Sequence, residues 1–303
     1  MKKTLILLSI LSLYFLSSCM ERGSNVDHTV PPKGRLVLDS QYTASGLPTS
    51  YPRVMLIEDF SGISCVNCPD AAKIIAGIDS SNPGKMVDLT MYSNLDIPLS
   101  DSFLGSKSSY RTNASDVLRT LLGPVSVGNL PRVCLNRKFF SGETEIAFSK
   151  NNLVSYFTSE LSANATATSN ITFLSKSFDA ASGTITAKIK VEYGAAIPDS
   201  EYLSVAIKED NLSDCQEVPK GSGGASTVDS HYVHNAVLRK YVYPQNSFLL
   251  PGVMAGKTFI ISFNTTIPSN WNPSNLKMMA IIHKQNAASA NYLVTQVAET
   301  TIK

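Results

Sequence analysis

The chain has 303 residues, 43% of them hydrophobic and 17% charged, with 26 basic and 24 acidic side chains and a formal net charge of +2. This is an ordinary globular composition, too long for one small domain, so two domains are expected. The near balance of charge excludes a basic nucleic-acid surface and a charged disordered tail, and no nucleic-acid partner is expected.

The first residues read as a targeting segment. Lys2 and Lys3 precede an uncharged run, Thr4 to Ser18, rich in Leu, Ile and Phe. A membrane span needs ~20 apolar residues, so the run is short for crossing and suits a signal peptide. Its end, Leu16-Ser17-Ser18-Cys19, resembles the bacterial lipobox. That resemblance implies a lipid on Cys19 as the first mature residue, and a membrane partner through that lipid. The plainer alternative is a secretory signal with an incidental Cys. Removing residues 1–18 takes away Lys2 and Lys3 and leaves 24 basic and 24 acidic residues, so no basic patch would add to anchoring. The residue after Cys19 is Met20, not the Asp that resembles an inner-membrane retention signal, which favours the outer membrane. No second apolar run approaches spanning length, so an anchored protein facing the periplasm or the cell exterior is expected. Residues 19–34, polar with Pro31-Pro32, read as a tether.

Residues 35–163 alternate between strand and helix patterns. Gly34 to Asp39 reads as a first strand, and Val54 to Phe60 is a strand of the fully buried type. A helix starts near Asn67, an N-cap residue with Asp70 three positions on and Pro69 in the first turn. Ala71, Ile74, Ile75 and Ile78 share its apolar face, and Asp79 to Gly84 ends it. Met86 to Tyr92 is the next strand, residues 93–109 an inserted loop, and Ser115 to Leu122 a helix. A turn at Gly128 to Pro131 leads into the short apolar strand of Arg132 to Asn136, and a last helix covers about Lys150 to Ser162.

Near Ala163 the pattern changes. In residues 164–303, Ile185, Ala187, Ile189, Val191 and Tyr193 alternate with Thr184, Thr186, Lys188, Lys190 and Glu192, a half-buried strand. Leu203 to Ile207, Phe259 to Phe263, Met278 to Ile282 and Tyr292 to Ile302 continue the theme, with Gly221-Ser222-Gly223-Gly224 as a flexible loop. An antiparallel, immunoglobulin-like β-sandwich is the expected second domain.

The chemistry centres on Cys65-Val66-Asn67-Cys68 at a strand-to-helix junction. This spacing at a helix start brings two sulfurs within bonding reach, and the helix N-terminus favours the thiolate of the first. The order of elements, together with Asp59-Phe60, the Cys pair and Leu130-Pro131, resembles the thioredoxin fold. The resemblance implies an α/β thioredoxin-like domain in which Cys65 attacks, Cys68 resolves, Asp59 relays the resolving proton and a cis Pro131 shapes a substrate groove. Three departures stand against turnover: Ser64 where Trp is usual, Val66-Asn67 in place of Gly-Pro, and the insertion before Pro131.

The lipobox, the Leu56-to-Gly62 strand end, the Cys-Val-Asn-Cys-Pro motif, Leu130 to Arg137 and Val233 to Arg239 together resemble the Bacteroidetes twenty-eight-kilodalton outer-membrane lipoprotein family, over about residues 50–303. That implies a thioredoxin-like domain, an all-β domain and an outer-membrane location, without a defined activity.

Other readings stay open. The Cys pair could exchange disulfides with exported protein thiols, staple the helix start on a non-enzymatic binding or adhesion lipoprotein, or form half of a metal site. Zinc needs four ligands, and there is no second C-x-x-C. His231 and His234, three apart, would point to opposite faces of a strand and could chelate together only on a helical turn. His234-Asn235 suggests an interdomain role. No cofactor is implied. Cys134 is expected buried, and Cys215, in polar surroundings, exposed.

Overall fold

The structure is a computed structural model that describes residues 34–100, 106–122, 129–221, 225–242, 247–285 and 292–303. The expected signal peptide, Cys19, all of the tether but Gly34, part of the inserted loop, the start of the Gly128 turn and residues 222–224 lie outside the described residues.

In chain order, the first part holds strands β1 (Leu36–Thr43), β2 (Tyr51–Pro52) and β3 (Met55–Ser61), helix α1 (Cys68–Ser81), β4 (Met86–Tyr92), helix α2 (Asn113–Leu122), β5 (Arg132–Leu135), β6 (Phe148–Ser149) and helix α3 (Leu153–Ala163). Strands follow: β7 (Thr166–Ala167), β8 (Ser169–Asp179), β9 (Thr184–Tyr193), β10 (Glu201–Glu209), β11 (Leu212–Pro219), β12 (Ser226–His234), β13 (Val237–Tyr241), β14 (Phe248–Leu250), β15 (Lys257–Thr266), β16 (Leu276–His283) and β17 (Val294–Thr301). The molecule is mostly β, in several sheets.

The large sheet runs β17-β16-β10-β13-β4-β3-β5-β6, with β14 added to β10. β3 is parallel to β4 and antiparallel to β5. Every residue of β3 is buried, because helices cover both of its faces. This is why β3 reads as a near-continuous apolar run rather than an alternation. Met55 and Ile57 face α1 and α3, packing with Ile75, Ile78, Leu153 and Phe157. Leu56 and Phe60 face the opposite way, with Leu118 and Leu122 of α2.

A second sheet, β1-β15-β9-β8, is antiparallel throughout. The expected alternation holds in β9 from Thr184 to Val191: Ile185, Ala187, Ile189 and Val191 are buried, and Thr184, Thr186, Lys188 and Lys190 are not, but Glu192, expected on the polar face, is buried beside Tyr193. The buried apolar residues share a core with Leu203, Val205, Ile207, Met278, Ala280 and Ile282 of the large sheet.

Two arrangements differ from the expectation. β1, expected beside the first α/β unit, pairs with β15, from Leu36↔Phe263 to Thr43↔Lys257. The strands β10, β16 and β17 do not form a sheet of their own; through β13 they continue the sheet that contains β3 and β4. The join is narrow: Val237 opposite Thr90, and Thr90 N donating to Ala236 O at 2.8 Å. Buried Lys208 reinforces it, with Nζ donating to Asp88 Oδ1 at 2.9 Å and pairing with Glu299 at 2.8 Å. A change of pattern near Ala163 marks a change of local structure, and a strand pairing with a distant partner leaves no local mark.

Candidate active site at the Cys65–Cys68 disulfide

β3 delivers the chain to Ser61, and α1 begins at Cys68, with Asn67 at its N-cap position. Asn67 makes no side-chain capping bond; it is exposed, and Cys68 N instead donates to Cys65 O at 3.1 Å. The four-residue turn closes a disulfide between Cys65 and Cys68, with Cα atoms 5.4 Å apart. Gly62 is required in this turn, since a Cβ there would overlap the Leu99 carbonyl. The Leu130–Pro131 peptide bond is cis, and Leu130 packs in the same core cluster as Cys65 and Cys68.

Cys65 is only 3% exposed and Cys68 2%. Two segments grip the turn. Ser64 N donates to Leu99 O at 2.8 Å. Glu217 N donates to Ile63 O at 2.8 Å. The buried Gln216 amide donates to Gly62 O at 3.2 Å and to Cys65 O at 3.1 Å. Gln216 and Glu217 belong to β11, which pairs with β12 in a two-stranded hairpin from the C-terminal half of the chain. Its base is fixed by Asp214, whose carboxylate accepts from Lys107 N, Ser108 N and the Tyr110 hydroxyl.

Asp59 lies on the α1 face of β3. It shares a cavity of about 20 Å³ with Ser61, Cys68, Tyr92, Gln216, Tyr232 and His234. That is room for about one water molecule. Asp59 is fully buried, and its Oδ1 has no hydrogen-bond partner among the described residues. Burial, helped by the Asp88 charge, raises its pKa to about 7. The hairpin side of the cavity is polar and ordered. His234 Nε2 donates to Cys215 O at 3.2 Å, which leaves Nδ1 to accept from the Tyr92 hydroxyl at 2.9 Å. Burial lowers the His234 pKa, so the ring is neutral. Tyr92, Tyr110 and Tyr232 pack around this ring.

Residues 124–303 match the family model for outer membrane protein Omp28. The chain belongs to the Omp28 family. The family match spans Pro131, Cys134 and the β11–β12 hairpin, whereas Asp59, Cys65 and Cys68 precede it. Among solved structures, the chain is similar to HBP35 of Porphyromonas gingivalis, at 14% identity and a TM-score of 0.61, over 83% of this chain and 76% of that one. It is also similar to a structural-genomics protein of Agrobacterium tumefaciens, at 14% identity and a TM-score of 0.50, over 84% of this chain and 96% of that one. At such identities the likeness shows fold alone. No curated protein sequence matches. The Omp28 family is one of outer-membrane proteins, in keeping with the expected location.

The structure thus brings Cys68 and Asp59 to one cavity, with Cys65 bonded to Cys68 and Leu130, which precedes the cis Pro131, in the same core cluster as the pair, while Cys19 lies outside the described residues. Cys134 is buried on β5, and burial pushes its thiol pKa well up. Cys215 departs from expectation: it is buried, at 6% exposure. Its polar neighbour Asp214 is satisfied by the 107–110 segment and by Cys215 N, so polarity there does not signal exposure. His231 is exposed and His234 buried on one strand, the arrangement a strand imposes on residues three apart. Sequence reasoning missed Gln216 and Tyr232. The one signal was Val233 to Arg239, which singled out His234 and Asn235, both lining the cavity.

Proposed function

We propose that this Omp28-family protein is a lipid-anchored outer-membrane protein whose Cys65–Cys68 pair exchanges disulfides with thiols of exported proteins, on a thioredoxin-like α/β unit followed by a β-sandwich unit. Asp59 carries the reading. A disulfide that merely staples a helix start has no use for a buried, unpartnered carboxyl beside its inner sulfur, and such a group costs stability. A loop this short also adds little constraint to the unfolded chain.

In the reducing direction, the Cys65 thiolate attacks a partner's disulfide, forms a mixed disulfide and releases one partner thiolate. Asp59 as carboxylate then takes the Cys68 proton through the small cavity. The Cys68 thiolate attacks Cys65 Sγ, closes the intramolecular disulfide and releases the second partner thiolate. In the oxidising direction the same steps run backwards: the partner's thiolate opens the disulfide, and protonated Asp59 donates to the leaving Cys68 thiolate. A carboxyl with a pKa of about 7 serves both directions near neutrality. Each exchange moves two electrons between the Cys pair and the partner, and a second exported dithiol or disulfide resets the pair for the next turnover.

The burial of Cys65 and the grip of Gln216 on its carbonyl favour a second reading, a closed structural disulfide on a binding lipoprotein. The two part on a trap experiment. Cys68→Ser in cells should accumulate mixed disulfides on Cys65 that thiols release, and Cys65→Ser should accumulate none. If Cys68→Ser captures nothing and the purified protein reduces no test disulfide, the structural reading stands. Labelling with palmitate, lost in Cys19→Ala, tests the anchor.

A further inference from the structure

We infer that a half-open cavity of about 330 Å³ between α2 and the large sheet binds a small uncharged carbonyl compound with an apolar body. It shares no lining residue with the small cavity at Asp59 and Cys68, and the inference stands whether or not that pair turns over. The volume falls at the small end of the range of ligand sites, about 300–1,000 Å³.

One wall is apolar: Ala114, Val117, Leu118 and Leu121 of α2, with Tyr292. The other is polar and built with care. Arg137 Nε donates to Glu58 Oε2 at 2.8 Å and Nη2 to Glu58 Oε1 at 2.7 Å. Nη2 also donates to the Tyr241 hydroxyl at 3.2 Å. His283 Nδ1 donates to Lys284 O at 2.9 Å, so Nε2 accepts, and the Ser204 and Ser247 hydroxyls lie 2.9 and 3.2 Å from it. Those two hydroxyls are 2.8 Å apart, so the His283 group satisfies itself.

Beside the exposed Gln285 amide, two buried residues of the lining, Arg137 and Tyr241, keep a donor unspent among the described residues. Arg137 Nη1 has no partner, and the Tyr241 hydroxyl accepts from Arg137 while nothing accepts its own proton. Both line the cavity, so its polar end asks for an acceptor oxygen. That acceptor should be neutral. Glu58 already offsets the Arg137 charge, and a second carboxylate would face it. Burial keeps His283 neutral, with a pKa of about 3, so no imidazolium calls for an anion either. Arg137 is presented from a left-handed pair, Asn136 and Arg137, each with φ of 51°. Non-glycine residues rarely adopt this, and such backbone concentrates at sites where a side chain must be aimed.

The test uses three probes with one phenylalkyl body: benzylacetone, phenylbutyrate and phenylbutylamine. Binding to the purified protein is followed through the methyl signals of Val117, Leu118 and Leu121. Benzylacetone should bind saturably, at least about tenfold tighter than either charged probe. Tyr241→Phe should weaken it about fivefold, the worth of one hydrogen bond. Val117 is 38% exposed, so Val117→Trp should fold normally and, by filling the cavity, abolish binding. No saturable binding, tighter binding of a charged probe, or full affinity in a folded Val117→Trp protein would each overturn the proposal. So would an unchanged affinity in Tyr241→Phe; should that variant not fold, the Val117 variant and the probe ranking decide.

Discussion

Glu58 and Asp59 are neighbours on one strand, both acidic and both buried, yet they live in opposite circumstances. Alternation sends them to opposite faces of β3. On the α2 face, Glu58 meets Arg137 in a two-point pair, and Tyr241 completes the set. On the α1 face, Asp59 meets the inner cysteine and aromatic rings, with no cation among the described residues that line its cavity, and its pKa rises to about 7. The same chemical group, equally deep, is an anchored charge on one side and a carboxyl with a raised pKa on the other. Burial sets the cost, and the partner supplied from elsewhere decides the outcome.

Removing the partner of the anchored carboxylate should have the largest effect. Arg137→Ala leaves Glu58 buried and alone and should cost about 3–5 kcal/mol of unfolding free energy, read by urea denaturation. Glu58→Leu combined with Arg137→Met should recover most of that loss. A mild effect of Arg137→Ala would show that water reaches Glu58 and that the two faces are less different than their geometry says.

Asp59 should behave with the opposite sign. Its folded pKa lies above its unfolded value, so the folded state holds the proton more tightly. The stabilisation is fully present below about pH 4 and is lost as pH rises towards 7. Asp59→Asn should remove this decline and leave the protein more stable than the native chain above neutrality, by a few kcal/mol and at most on the order of 4. Disulfide exchange should fall by about a hundredfold in the same variant. Equal pH dependence in native and variant proteins would mean that Asp59 is solvated and not the proton carrier.

The smallest expected change concerns the hairpin over the pair. Gln216→Ala leaves the Gly62 and Cys65 carbonyls without their side-chain donor and should cost about 1–2 kcal/mol. Because the hairpin shields the disulfide, reduction by dithiothreitol should accelerate by about tenfold. An unchanged rate would show that the approach to Cys65 lies elsewhere.

Much of this was legible in the residues, for identifiable reasons. The pairing of Cys65 with Cys68, the start of α1 at Cys68 and the alternation of β9 are local properties, set by spacing and period. The Omp28 relationship was carried by several short motifs in order, and the family match covers the later ones. The β11–β12 hairpin was not legible. Its strands carry Ser, Asp, Gln and His, because they pack a polar site rather than an apolar core, and an alternation rule passes over them. For the same reason Cys215 read as exposed.

The sequence by itself determined which residues alternate, where helix α1 begins and that two sulfurs stand within bonding reach, because each rests on contacts a few positions apart. Only the tertiary structure decided that Arg137, 79 residues from Glu58, neutralises it, and that Gln216, 151 residues from Cys65, closes over it. It also decided that one sheet runs from β6 to β17. A strand's period names the face a side chain occupies; what waits on that face comes from distant chain, and here that difference separates a paired carboxylate from one whose pKa burial raises.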